Sequence, residues 1–278
     1  MLTIGDVLRR STDHLAARGA EQPRLHAERL LAHALAMERV ELYMHLDRPL
    51  APAELDAARA LLARRAQGEP LQYVLGEWGF RRLTLRVDRR ALIPRPETET
   101  VVERCLALLA GSDAPRVLDV GTGSGAIALA IADELSAARV TAIDVSEEAL
   151  GLARENAART GIAVELIQHD LFAGLPGNGW DLVVANPPYV RDEELATLDA
   201  GVVDWEPGLA LVERGHTEAL AREAVRALRP GGALVLETHE GAAPRVAALL
   251  EAHGYAGVVV TRDLAGRDRV VEGRAPAA

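Results

Sequence analysis

No lysine occurs in the 278 residues: all 31 basic side chains are arginine, against 41 acidic ones, and the formal net charge is −10. A field of that sign repels polyphosphate, which disfavours a general nucleic-acid binder. The missing lysine also removes the glycine-lysine loop that binds phosphates from consideration. A single cysteine, Cys105, permits no internal disulfide framework and suits a reducing compartment. Aromatic residues make up only 3% of the chain, so leucine, valine and alanine must fill the interior. No stretch reaches the roughly 18 apolar residues of a membrane span. The N-terminal MLTIGDVLRRSTD brings an acid and then arginines before any long apolar run. These absences point to a cytoplasmic protein without membrane or direct nucleic-acid contact. The eight histidines show no metal pattern, because His26 and His33 share a helical face without cysteine or carboxylate partners at ligand spacing; no metal site is expected.

What is present is a chain 49% hydrophobic and 26% charged, long enough for one large unit and a smaller one. Residues 1–72 read as helical. Ile4, Val7, Leu8 and Leu15 recur at helical spacing behind Thr3 and Asp6, a capping pair, and Pro23 and Pro52 suit first-turn positions. Residues 73–95 change character: Leu83, Leu85 and Val87 alternate, which predicts a linking hairpin whose arginines face solvent or a partner. From residue 96 to 278, strand-like runs such as RVLDV, RVTAIDV, AVELIQHD and DLVVANPP alternate with helical ones, a late helix ending at LRPGG ahead of the strand ALVLET. That alternation predicts an α/β fold, a parallel sheet with helices on both faces.

The run VLDVGTGSGAIALA carries a buried strand through Gly121, Gly123 and Gly125 into a helix, where a cofactor can approach exposed N–H groups. A plain tight turn is the bland reading. The next strand ends in Asp144, about twenty residues on, where a carboxylate can receive both hydroxyls of an adenosine ribose. Ser146 is the better cap for the following helix, which leaves Asp144 free. Asp170, after the third strand, falls where an adenine edge would lie, or is simply a turn residue. The spacing D-x-G-T-G-S-G lacks the G-x-G-x-x-G of pyrophosphate binders, and Asp119 adds a negative charge at the strand mouth. Both favour S-adenosylmethionine, whose reactive end is cationic, over a dinucleotide.

The fourth strand runs into N-P-P-Y, residues 186–189. A residue before proline is pushed to extended geometry, and Pro187 and Pro188 cannot donate to a central ladder, so the strand stops there. At the carboxyl edge of a parallel sheet, the Asn186 side-chain oxygen and the Pro187 carbonyl form two fixed acceptors. Two acceptors suit a planar NH2 group, whose nitrogen they orient for in-line attack on a methyl donor. Tyr189 would lie against the flat face of that substrate. A plain turn after a strand is the alternative. No nucleophile elbow or Cys/His pair is present.

With DVGTGSG and NPPY, the segments YVLGEWGF (73–80), LIPRPETE (92–99), DWEP (204–207), LRPGG (228–232) and DLAGRDRVVEGR (263–274) resemble the HemK/PrmC family nearly end to end. These are the protein-(glutamine-N5) methyltransferases of peptide chain release factors. The resemblance implies a class I S-adenosylmethionine-dependent methyltransferase, with a Rossmann-like seven-stranded sheet whose last strand is antiparallel and a small all-α N-terminal domain that docks the substrate. It implies that residues Gly121, Thr122, Gly123, Ser124, Gly125 and Asp144 bind the cofactor. Asp170, Leu171 and Phe172 flank its adenine; where relatives carry an aromatic, this chain has Leu171, and stacking falls to Phe172. Asn186, Pro187, Pro188 and Tyr189 take the glutamine of a Gly-Gly-Gln loop, and Arg95, Pro96 and Glu97 cover the cofactor side. A helix start is the bland reading of Pro96 and Glu97. Three other readings stand beside it: a glutamine methyltransferase of a ribosomal protein, a DNA adenine-N6 methyltransferase, which the acidic charge opposes, and a non-catalytic binder of translation factors.

Overall fold

In the computed structural model, which describes residues 1–190, 192–197 and 200–277, the chain forms two units. One is Met1–Glu77 with Asp199–Trp205, the other Trp78–Leu198 with Glu206–Ala278. The first holds α1 (Ile4–Ala16), α2 (Pro23–Ala34), α3 (Arg39–Met44), α4 (Pro52–Ala66) and α5 (Leu71–Leu75). Helix α1 starts where it does because Asp6 N donates to Thr3 Oγ1 and Thr3 N donates to Asp6 Oδ2, both at 3.2 Å, a reciprocal capping box. Pro23 and Pro52 occupy the first turns of α2 and α4, where a missing N–H costs nothing. The apolar stripe of α1, with Ile4, Leu8 and Leu15, meets Leu30, Leu31, Leu42 and Leu50 in a separate small core.

A two-stranded hairpin follows, β1 (Glu77–Phe80) and β2 (Leu83–Arg86). Arg82 and Arg86 are exposed, as expected of arginines that face solvent or a partner, but two others are tied down within the protein. Arg81 is tied to Glu134 and receives further acceptors from Glu99 and Glu103, while Arg90, just beyond, binds Asp88 and Glu155 in paired contacts of 2.7–2.9 Å. Planar guanidinium groups favour such forked pairing with carboxylates.

The elements of the larger unit are α6 (Thr98–Leu109), β3 (Arg116–Val120), α7 (Ala126–Glu134), β4 (Arg139–Asp144), α8 (Glu147–Thr160), β5 (Glu165–Gln168) and β6 (Trp180–Ala185). After the short α9 (Ala200–Val203), which belongs to the first unit, come α10 (His216–Ala227), β7 (Leu228–Glu237), α11 (Ala243–Ala252), β8 (Ala256–Arg262) and β9 (Asp268–Arg274). Seven strands form one sheet in the order β5-β4-β3-β6-β7-β9-β8, in which β9 is antiparallel to both its neighbours. Strand side chains alternate between faces. Leu118, Val183 and Leu234 pack with α10 and α11, whereas Val117, Leu182, Val184 and Val235 pack with α6 and α7. Apolar residues on both faces are what a sheet sandwiched by helices requires.

The late helix ends at LRPGG, as the sequence predicts, but the next strand begins within that segment and not at Ala233. Helix α10 stops at Ala227, and Leu228 already pairs with Trp180 at the start of β7, ahead of a register shift. Gly232 permits that shift, because a Cβ there would lie 2.8 Å from the Trp180 carbonyl oxygen. The strand order reverses between β3, flanked by β4, and β6. At such a switch point the loops at the carboxyl ends diverge and leave a crevice. Among the described residues, no helix is long and apolar enough to cross a membrane.

Candidate active site

The glycine turn that follows β3 is anchored before it reaches the helix. The N–H groups of Gly121 and Thr122 both donate to the Ile143 carbonyl, at 2.8 and 3.0 Å. Gly121, Gly123 and Gly125 adopt φ of 72°, 57° and 84°, the left-handed region that side chains resist. Gly125 is needed twice over, since a Cβ would also stand 3.2 Å from Leu129 Cδ1 and 3.3 Å from Ala153 Cβ.

Asp144 closes the turn from the neighbouring strand. Its Oδ2 accepts from Gly123 N at 2.8 Å and its Oδ1 from Ser146 N at 3.0 Å. Ser146 caps α8 as its position suggests, its Oγ accepting from Ala149 N at 3.1 Å. Asp144 is therefore a brace for the loop and not wholly free, but each oxygen keeps a second lone pair. Burial raises its pKa. Asp119 differs from its expected place at the strand mouth. It is fully buried beneath the turn, with Oδ2 accepting from the Thr122 hydroxyl at 2.7 Å and Oδ1 without a donor. Burial pushes its pKa up to about 7, against the Thr122 hydrogen bond and with the nearby Asp144 charge adding to it.

Beside this turn lies a cavity of about 660 Å³, a volume typical of small-ligand sites. Its wall brings together residues 121–124, 170–172 and 186–188 with Arg95 and Asp144. Gly125, Glu97 and Tyr189 lie off that wall, as does Asp119. Phe172, half exposed, sets its ring 5.1 Å from His216, and its N–H donates to Asp170 Oδ1 at 2.9 Å. Burial holds the His216 pKa down. Leu171 is buried. A strap from Ile93 to Arg95 forms one side, held by Glu206 of the DWEP segment, which accepts from Ile93 N at 3.3 Å and pairs with the Arg95 guanidinium. Two motifs separated by more than a hundred residues thus meet in one contact.

β6 ends at Ala185, and the chain turns through the two prolines beside the cavity. The Asn186 Nδ2 lies 3.5 Å from Thr98 Oγ1, while its Oδ1 is sealed from solvent and receives no hydrogen bond. The Tyr189 ring lies 5.6 Å from that of His239. Burial, then the charge of Glu237, raises the Tyr189 pKa. Glu237 is the last residue of β7, only 3% exposed, and burial pushes its pKa up to about 7 despite a hydrogen bond from Thr98. Sequence reasoning overlooked Thr98, Glu206, His216 and Glu237 as individual residues. The detectable signals were a lone carboxylate in the apolar run ALVLET and the acid of DWEP; His216 offered none.

A turn built on three glycines at positive φ, a braced carboxylate on the adjacent strand and a largely apolar cavity fit a nucleoside-bearing cofactor with no phosphates to cradle. Together with the sheet order, they define a class I S-adenosylmethionine-dependent methyltransferase. Comparison with known proteins narrows the class. Residues 6–76 match the PrmC N-terminal domain and residues 103–201 the methyltransferase small domain. A release factor glutamine methyltransferase of Cereibacter sphaeroides is 44% identical over 286 residues, covering the whole of both chains. One of Chlorobaculum tepidum is 42% identical over 281 residues, covering 96% of this chain and 95% of the relative. A solved 16S rRNA N2 G1207 methyltransferase of T. thermophilus, in complex with AdoMet and guanosine, superposes with a TM-score of 0.51 at 17% identity. It covers 71% of this chain and 49% of that one, and it shows the shared fold alone. The chain belongs to the release factor glutamine methyltransferase family.

Proposed function

We propose that this enzyme transfers a methyl group from S-adenosylmethionine to the side-chain amide nitrogen, N5, of the glutamine in the Gly-Gly-Gln motif of peptide chain release factors. The observation that carries the reading is Asn186, which ends the strand beside the glycine turn with an amide oxygen that no donor within the protein satisfies. When bound, the cofactor supplies an electrophilic methyl on a sulfonium centre. Residues 121–125 and Asp144 hold it, with Asp170, Leu171 and Phe172 around the adenine, and Arg95 and Glu97 on the segment that covers the cofactor side.

Asn186 Oδ1 and the Pro187 carbonyl accept the two hydrogens of the substrate NH2, and that pairing orients the nitrogen. Because Oδ1 is sealed from solvent, engaging the substrate requires the Asn186 amide to turn about its Cβ–Cγ bond. Positioning of this kind contributes on the order of 7 kcal/mol in favourable cases. Pro188 and Tyr189 fix the loop that carries these acceptors. No strong base is called for, since an amide nitrogen turns very acidic once alkylated. Residues 1–72 serve as the helical docking domain, 73–95 as the link and 96–278 as the catalytic domain, and the protein acts in the cytoplasm on a protein substrate.

Incubation with a release factor and methyl-labelled cofactor tests the reading. Label is expected on the Gly-Gly-Gln peptide and is lost when that glutamine is replaced by alanine. Label on a ribosomal protein, with none on the release factor, would shift the assignment to the other glutamine substrate. Cofactor binding with no transfer to either would make the chain a binder and not an enzyme.

A further inference from the structure

A buried carboxyl stands next to Asn186, and nothing in the transfer itself calls for one. The parallel strands β6 and β7 pair Ala185 with Leu236. Asn186 and Glu237 are the residues that directly follow this last pair, and residues that continue a parallel register leave the same face of the sheet. Both meet Thr98, the first residue of α6 and itself buried. The Thr98 hydroxyl lies 3.5 Å from Asn186 Nδ2 and is close enough to the Glu237 carboxyl to oppose the rise of its pKa.

Asn186 Oδ1 and Glu237 Oε2 are both buried oxygens with no donor, and such groups are rare because they forgo the hydrogen bonds water would give. The other charged or titratable groups that face Glu237 are Arg269, Arg95, Glu97 and Tyr189. Arg269 is committed elsewhere, to Asp263 Oδ2 at 3.3 Å and the Thr238 carbonyl at 3.2 Å, and Arg95 pairs with Glu206. An asparagine that offers its oxygen to a substrate must place its NH2 against acceptors. Behind Asn186 there are two, Thr98 Oγ1 and the unpartnered Glu237 Oε2.

We propose that Glu237, with the Thr98 hydroxyl beside it, is a buried acceptor that takes the NH2 group of Asn186 and so turns its oxygen toward the substrate amide. Both are positioning residues, and the inference rests on the glutamine reading above. The carboxylate accepts the Thr98 O–H. As Oδ1 swings to the cavity, Nδ2 leaves its contact with Thr98 Oγ1 for the buried place Oδ1 held, and Oε2 receives its hydrogen there. Protonated Glu237 does the reverse: its O–H donates to Oδ1 and keeps that oxygen inward, the sealed orientation. Turnover is thus present where Glu237 is ionised and is lost as pH falls through about 7, the value to which burial raises this group.

The test uses the full chain with release factor at saturating cofactor, which separates Glu237 from any effect of Asp119 on cofactor binding. Thr98→Val is expected to lower kcat by about tenfold, the worth of one neutral hydrogen bond. The KM for release factor and the cofactor Kd should stay within twofold, and Thr98→Ser should restore kcat. The wild-type kcat should rise with pH through about 7, and Glu237→Gln should flatten that limb. A second readout needs no release factor: the Asn186 side-chain NH2 resonances, assigned by their loss in Asn186→Ala, should titrate near pH 7 in the wild type and not in Glu237→Gln. Resonances insensitive to pH, or Thr98→Val turning over like wild type, would overturn the proposal. Failure of the wild type to methylate any release factor would sink the glutamine reading instead, while the resonances still report on the buried pair.

Discussion

Asn186 is the side chain with most at stake, since its oxygen is buried without a donor and its nitrogen has only a 3.5 Å contact to Thr98. Asn186→Ala should bind S-adenosylmethionine as the wild type does, by titration calorimetry, yet lose about 10²–10³-fold in single-turnover rate, the usual cost of one positioned acceptor or donor at a reacting centre. Asp119 is predicted to matter for stability. Its pKa is raised to about 7, so between pH about 4 and 7 the folded protein holds a proton that the unfolded chain has released. Stability therefore falls as pH rises through that window. Asp119→Asn removes the penalty while an amide oxygen can still accept from Thr122. Its melting temperature should exceed the wild type's by more at pH 8 than at pH 5, and an equal gain at both would refute the assignment. Asn186 was visible in the sequence because two prolines mark where its strand ends. Thr98 and Glu237 were not, because their meeting depends on the register of β6 against β7 and on where α6 begins.

At the scale of elements, the glycine turn is a strand-to-helix junction with no room to spare. Gly125→Ala forces a left-handed conformation on a residue with a side chain, and its Cβ meets Leu129 and Ala153. Denaturant titration should show a stability loss of about 1–3 kcal/mol, and cofactor affinity should fall with it, because the turn opens onto the cavity. Unchanged affinity would mean that the turn does not shape the cofactor site. Strands and helices here were legible where one period dominates: RVLDV and RVTAIDV are buried on both faces and read as continuous apolar runs. LRPGG marked the end of α10 as proline and glycine usually do, but it hid the start of β7, because Leu228 already pairs with Trp180 and Gly232 accommodates a register shift there. The ties of Arg81 and Arg90 were not legible, since their partners Glu134 and Glu155 come from helices far along the chain.

For the whole molecule, the charge of −10 and the absence of lysine predict that duplex DNA is neither retained at about 50 mM salt nor methylated, because no released counterions drive the contact. Filter retention with labelled duplex checks this, and tight binding that weakens steeply with salt would contradict it. The fold class and the residues around the cavity could be read from motifs, since each motif carries its own backbone signature. The tie between LIPRPETE and DWEP could not, because it is a long-range ion pair with no local pattern. The most direct measurement is a crystal structure of the enzyme with S-adenosylhomocysteine and a Gly-Gly-Gln peptide. The glutamine amide nitrogen should sit within about 3.2 Å of both Asn186 Oδ1 and the Pro187 carbonyl oxygen, facing the sulfur beside the glycine turn. A glutamine held elsewhere, or an Asn186 oxygen still turned inward with peptide bound, would contradict the account.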